Sequence, residues 1–379
     1  MPLLHRILPM IKTLLENFNP ENSPLIWLVC AFVLAFVIAY QTFPTILYVA
    51  KEKHLMDEPD SRSMHSSKTP TLGGIGIFFS LVVVMTIVGA MLNTKVLLLV
   101  MGGLTILFFL GLKDDLTVLS ARKKFIGQLF AALLLIIFTD TRIIGFSKIF
   151  DIDMLPYWVS IGFTLFVYVL IINAYNLIDG VDGLAGCVAL LISIFFTILF
   201  YNSGALSLAT ISVALIGALL AFLKSNFSSK NKIFMGDTGS MIVGFLLAFF
   251  TISFISQSQL NIDSDYHRAS PALAFAMLFF PLIDTLRIFF IRIFILKRSP
   301  FEADKNHIHH RFIQSGFSHI QTTFTVVFIN LLIVFIAFNM LHLNLNTQIG
   351  LLLIYGSILY CMPFIIIRVM NKNKKSIKV

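Results

Sequence analysis

Apolar residues in this chain come in long unbroken runs, not at the three-to-four or alternating spacing of elements that turn one face to water. The runs lie near 25–50, 72–92, 96–112, 125–140, 157–174, 184–202, 205–223, 239–256, 270–296, 322–341 and 348–368. Most approach or exceed the roughly 20 residues a helix needs to cross about 30 Å of hydrocarbon. Backbone groups in lipid must be satisfied within the segment, so the pattern predicts an all-α polytopic membrane protein, a bundle of about 11 transmembrane helices. The ninth run is longer than an upright span requires and holds Pro281, whose missing N–H favours a kink; a broken, tilted helix is expected there. It also carries Asp284, Arg287 and Arg292. Asp284 and Arg287 share a helical face, where a structural ion pair and a direct role are both open.

Composition agrees with that pattern. Of 379 residues 58% are hydrophobic and 12% charged, which excludes an ordinary soluble fold. The run 25–50 is too long for a signal-peptide core and is expected to be a retained span. Residues 1–24 read as an interfacial helix and 369–379 as a basic cytoplasmic tail, within a single transmembrane domain spanning 1–379. Charge then orients the bundle. Alternate loops and adjoining span ends hold 22 of the 28 Lys and Arg residues, so by the positive-inside rule that side is cytoplasmic, with the amino terminus outside and the carboxyl terminus inside. The net charge of +9 thus reports topology and gives no reason to expect nucleic acid. Cys30, Cys187 and Cys361 lie in apolar runs without C-x-x-C spacing, so neither a disulfide framework nor a thiolate metal site is expected.

The candidate chemistry falls in loops assigned to that one side. In G-L-K-D-D-L-T-V-L-S-A-R-K-K-F, Asp114 and Asp115 close a span ahead of Lys124. Adjacent carboxylates near lipid call for a compensating cation or proton, and Mg²⁺ is the natural candidate, although a solvated helix end accounts for the pair equally well. In N-A-Y-N-L-I-D-G-V-D-G-L-A-G, Asn173, Asn176, Asp179 and Asp182 recur at intervals of three, which brings them to one side of a helix or turn. Carboxylate and amide oxygens suit Mg²⁺, with Mn²⁺ an admissible substitute, whereas the twelve-residue spacing of a calcium loop is missing. In M-G-D-T-G-S a glycine-bearing turn opens a helix toward anions and Asp237 can hold a cation, while the G-x-x-x-x-G-K spacing of a Walker loop is missing. A simple Asp/Thr helix cap explains Asp237 and Thr238 but not the neighbouring segments. D-K-N-H-I-H-H-R-F gathers His307, His309, His310 and Arg311, a phosphate- or sugar-binding surface; a zinc site needs further ligands not evident in the chain. The first such loop adds Arg62, His65 and Lys68 before Gly73 and Gly74, each a weak signal alone.

These segments, in this order over about residues 51–315, resemble the polyprenyl-phosphate N-acetylhexosamine-1-phosphate transferases, glycosyltransferase family 4, of the WecA/TagO-type branch and related to MraY. The resemblance implies a helix bundle with cytoplasmic catalytic loops in the bacterial inner membrane and a Mg²⁺-dependent transfer of GlcNAc-1-phosphate from UDP-GlcNAc to undecaprenyl phosphate. It implies Asn176 and Asp237 as the metal-proximal pair and Asp114, Asp115, Asp179 and Asp182 as catalytic acids. Lys124, Arg62 and His65 are implied for the lipid phosphate, and Asn173, His307, His309, His310 and Arg311 for the sugar nucleotide. Ser63 and Thr71 depart from a first loop that is commonly more basic in the family. Expected partners are membrane lipids, the two substrates and a second copy of the chain. UDP-GalNAc, a 6-deoxy sugar nucleotide and UDP-MurNAc-pentapeptide remain open as donors. A membrane transporter is the competing class, disfavoured because the acids lie at one membrane face and no inverted repeat is evident.

Overall fold

The computed structural model describes residues 20, 22–55, 69–92, 94–149, 152–261, 266–297 and 307–376. Every apolar run is helical. The first four helices are α1 (Pro24–Glu52), α2 (Gly73–Leu92), α3 (Lys95–Thr117) and α4 (Ala121–Thr139). A small antiparallel hairpin follows, β1 (Gly145–Ile149) with β2 (Ile152–Met154), an element the hydrophobic pattern did not predict. Next come α5 (Tyr157–Leu177), α6 (Leu184–Asn202), α7 (Leu206–Asn226) and α8 (Gly236–Leu260). The ninth run is the pair α9 (Ser270–Met277) and α10 (Phe279–Phe290), the latter continuing through a wider π-type stretch, Ile291–Leu296. The short α11 (Ile308–Gln314) precedes α12 (His319–Asn339) and α13 (Leu345–Ser376).

Among the described residues nine helices are each long and apolar enough to cross a membrane, and the bent pair makes a tenth. The remaining expected span, α4, is a 19-residue helix whose first turn carries Arg122, Lys123 and Lys124, which shortens its apolar part. Past residue 368, where a basic tail was expected, the α13 backbone stays helical to Ser376. Of the expected interfacial helix at 1–24, residues 1–19 and 21 lie outside the described residues.

The centre of the bundle is α8. Its apolar stretch is buried throughout, with α2, α3, α5, α6 and α9 packed around it, while α1 lies against α7. A helix apolar on all sides can be central only if its neighbours come close, and two glycines permit that at its start. A Cβ on Gly74 would stand 2.2 Å from the Gly239 nitrogen, and one on Gly111 would stand 2.4 Å from the Thr238 Cα. Backbones thus meet directly, as small residues allow in membrane helices.

The break in the ninth run amounts to 80°. Pro281 lacks the N–H that would bond the carbonyl four residues back, on Met277. Asn330 of α12, fully buried, fills both sides of the gap: its Nδ2 donates to the Met277 carbonyl (2.9 Å) and its Oδ1 accepts the Phe280 N–H (3.1 Å). The expected kink is present, and an amide from another helix keeps its backbone groups paired in a setting without water.

Candidate active site

The start of α8 is where the polar segments meet. Gly236, at φ +73°, turns the chain into the helix. Strand-like bonds tie this turn to the end of the first loop: Gly73 N–H donates to the Phe234 carbonyl (2.9 Å), Gly74 N–H to Met235 (3.0 Å) and Phe234 N–H to Pro70 (2.9 Å). Asp115, at the end of α3, accepts the Asp237 N–H (2.7 Å), the Thr238 N–H (3.0 Å) and the Thr238 hydroxyl (2.5 Å). It caps α8 from another helix, neutralising N–H groups that no intrahelical carbonyl can reach.

That cap turns the Asp237 side chain toward the other segments. Its Oδ1 accepts from Asn176 Nδ2 (2.6 Å), which also reaches Ser240 Oγ (2.6 Å), and its Oδ2 accepts from Lys124 Nζ (2.9 Å). The same ammonium pairs with the buried Asp114, whose carboxylate also accepts the Leu119 N–H. Lys124 is placed by the first turn of α4, and one turn on Gln128 accepts from Asn173 Nδ2 of α5 (2.8 Å). The Asn173 amide also donates to the Val169 carbonyl (2.7 Å), so the structure sets it between α4 and α5, a turn inside the helix.

The turn between α5 and α6 brings in Asp179, which accepts the Gly236 N–H. Burial pushes its carboxyl up to about 8, with the negative charges of Asp237 and Asp115 adding to the effect. A carboxyl in that condition holds a proton near neutral pH unless a cation displaces it. Asp114, Asp115, Asp179 and Asp237 are hard oxygen donors of the kind divalent cations take, and Lys124 is the ammonium set between two of them.

Asp182 belongs to a different contact set. It pairs with Lys232 (2.6 Å) and His319 (3.0 Å), and its carbonyl accepts from Thr323 (2.8 Å), so it fastens the α5–α6 turn to the α7–α8 loop and to α12. Burial raises its pKa, but the hydrogen bonds from His319 and Lys232 outweigh burial and hold the carboxyl below the usual range. Asn226 joins the same two loops, accepting the Gly183 N–H (2.6 Å) and donating to the Ile233 carbonyl (2.8 Å).

Of the histidine segment, His307 and His309 are buried, His310 is partly buried and Arg311 is exposed. The rings of His309 and His310 lie 4.4 Å apart, and His309 approaches Gly180 beside Asp179, where an added Cβ would be 3.6 Å from its Nε2. Burial pushes the His309 imidazole down, toward its neutral form, although the Asp284 contact works the other way. Arg62 and His65 lie outside the described residues.

The structure therefore brings Asp114, Asp115, Lys124, Asn176, Asp179 and Asp237 into one cluster, with His309 at its edge through Gly180. Asp182 stands in an adjoining clasp and Asn173 one turn below. Lys232, His319, Asn226, Gln128 and Ser240 were not singled out from sequence. Each is an ordinary polar residue whose partner lies on a different element, a relation that local spacing does not carry.

The fold and this cluster define a polytopic membrane protein with acids, amides and a lysine collected at one end of its helices. The glycosyl transferase family 4 model matches residues 97–255. The chain is 30% identical over 310 residues to a probable undecaprenyl-phosphate N-acetylglucosaminyl 1-phosphate transferase of Bacillus subtilis, covering 81% of this chain and 83% of the relative. It is 33% identical over 325 residues to a decaprenyl-phosphate N-acetylglucosaminephosphotransferase of Mycobacterium tuberculosis, covering 80% of each. An undecaprenyl-phosphate alpha-N-acetylglucosaminyl 1-phosphate transferase of Escherichia coli is 28% identical over 281 residues, 72% of this chain and 73% of the relative. The chain belongs to glycosyl transferase family 4.

Proposed function

We propose that this protein transfers GlcNAc-1-phosphate from UDP-GlcNAc to a polyprenyl phosphate, undecaprenyl phosphate in the bacterial inner membrane, as the initiating step of a cell-envelope glycan. The supporting observation is the convergence of Asp237, Lys124, Asn176 and Asp179, drawn from three segments, at the same end of the bundle. The Lys and Arg distribution supports placing that end in the cytoplasm, where UDP-sugars are found.

The reaction joins two anions. An oxygen of the lipid phosphate attacks the sugar-bearing phosphorus, the bond from that phosphorus to the bridging oxygen breaks, and UMP leaves with the bridging oxygen. Lys124 places positive charge where phosphate oxygens gather, and Arg311 offers a second cation at the exposed edge. Asp114, paired with Lys124, keeps that ammonium aimed at the site. Asp115 holds the turn that presents Asp237, and so acts by position. Mg²⁺ fits the donor set: Asp237 with Asn176, and Asp179 beside them, would hold it, and when bound it lowers the charge repulsion between the two phosphates.

Membranes containing the protein, given UDP-GlcNAc and undecaprenyl phosphate, are expected to form a lipid-linked product and release UMP only with Mg²⁺ present. A preference for UDP-GalNAc would revise the sugar. Uptake of the nucleotide sugar into vesicles without UMP would replace the proposal with a transporter.

A further inference from the structure

Asp284 is fully buried on α10, three residues past Pro281, and none of the converging segments contains it. Its partners come from the histidine segment. Oδ1 accepts the Ile308 N–H (2.8 Å) at the start of α11, and Oδ2 accepts from His307 Nδ1 (3.0 Å) and lies 3.4 Å from His309 Nδ1. Arg287, one turn along, stands 3.7 Å from Oδ1. One carboxylate therefore anchors the first turn of α11, and the broken helix that carries it is fixed in turn by Asn330.

The consequence runs through His309. With Nδ1 turned to Asp284, its Nε2 faces Gly180, the residue after Asp179. In a neutral imidazole the nitrogen that faces the carboxylate carries the proton, which leaves Nε2 as an acceptor toward the acidic turn. The ring of His309 in turn supports that of His310, and Arg311 follows at the exposed edge. Removing the Asp284 charge loosens the first turn of α11, because the Ile308 N–H and His307 Nδ1 no longer share a charged acceptor and His309 Nδ1 loses the carboxylate it faces.

We propose that Asp284 is a positioning residue for the donor: by holding His307, His309 and the α11 start, it sets where His310 and Arg311 meet the UDP-sugar. This rests on the reading above that the histidine segment binds the sugar nucleotide. Asp284, His307 and His309 are also metal-ligating residue types, with one donor atom each within 4.8 Å of the others. The Arg287 guanidinium beside the carboxylate and the Ile308 N–H on its other oxygen favour the hydrogen-bonded clamp over an ion.

The test uses the full chain in nanodiscs, with Asp284→Asn, His309→Gln, His310→Ala and Arg311→Ala. Asp284→Asn and His309→Gln are expected to raise KM for UDP-GlcNAc about tenfold or more while KM for undecaprenyl phosphate stays within about twofold, and to weaken UMP-induced thermal protection. A fall in kcat with both KM values unchanged would reduce Asp284 to a structural group and overturn the proposal. Should Asp284→Asn not fold, His309→Gln carries the same KM split without opening a buried charge. His310→Ala and Arg311→Ala separate the two claims. If they leave the UDP-GlcNAc KM unchanged, the donor reading of the segment fails. If they raise it while Asp284→Asn and His309→Gln do not, only the role of Asp284 fails. Elemental analysis of the purified protein is expected to find no stoichiometric zinc, and one zinc per chain lost in Asp284→Asn would overturn the clamp.

Discussion

Lys124 and Asp237 are separated by 113 positions in sequence and meet at 2.9 Å, the ammonium lying between Asp237 and the buried Asp114. The pairing joins the first turn of α4 to the first turn of α8, so one side chain neutralises two acids, and in the function proposed above it is also the positive partner of the anionic substrates. Replacing Lys124 by Met keeps much of the length and removes the charge. The expected outcome is a loss of kcat of about 10²-fold or more, by analogy with deleting one group that stabilises developing charge. UMP release measured at saturating substrates checks this, and full turnover in Lys124→Met contradicts it.

Asp115 differs from its neighbour in sequence. Its two oxygens accept three donors at the start of α8, so Asp115→Ala leaves the Asp237 and Thr238 N–H groups without their acceptor. The expected cost is about 2–4 kcal/mol, seen as a lower unfolding temperature together with reduced activity. Unchanged thermal stability with abolished turnover would instead make Asp115 a direct participant.

The helix break makes a sharper test. Asn330→Leu strands the Met277 carbonyl and the Phe280 N–H, at about 1–3 kcal/mol for each orphaned group. Pro281→Ala restores the N–H that Met277 lacks. The double variant is therefore expected to lose less than the sum of the singles, by at least about 0.5 kcal/mol in a double-mutant cycle. Strict additivity would show that Asn330 does not substitute for the missing proline donor.

Asp182 carries a pH signature. Its folded pKa lies below the ordinary value because His319 and Lys232 outweigh burial. A depressed carboxylate stabilises the fold above its unfolded pKa, near about 3.9, and loses that contribution as pH falls through the lower folded value. Asp182→Asn is thus expected to be less stable than wild type at pH 7 by roughly 1.5–3 kcal/mol, seen as a lower unfolding temperature, with the gap narrowing below about pH 4. A gap that stays constant from pH 7 to pH 3.5 contradicts this account.

The bundle was legible because lipid imposes a length and an apolar content on every span, and both are local properties of the chain. The N-A-Y-N-L-I-D-G-V-D-G segment was legible for the same reason, since its intervals of three survive as a helix end and a turn. What escaped were relations between elements. The role of Asp115 depends on donors 122 residues further along, and that of Asn330 on carbonyl and amide groups 50 residues or more before it. Asp182 and Asp179 look alike in sequence, yet one is matched by Lys232 and His319 while the other faces Asp237 and Asp115. The partner of the histidine run is Asp284, and the local spacing that puts it on one helical face with Arg287 carries no sign of His307 and Ile308, 23 and 24 residues further along.

The most direct test follows the fate of one phosphorus. UDP-GlcNAc labelled in its sugar-bearing phosphate is given to the purified protein in nanodiscs with undecaprenyl phosphate and Mg²⁺, and the products are separated. The account predicts label in the lipid fraction and unlabelled UMP in water, both lost in Asp237→Asn. Label recovered in released UDP, or lipid labelling that persists undiminished in Asp237→Asn, would contradict it.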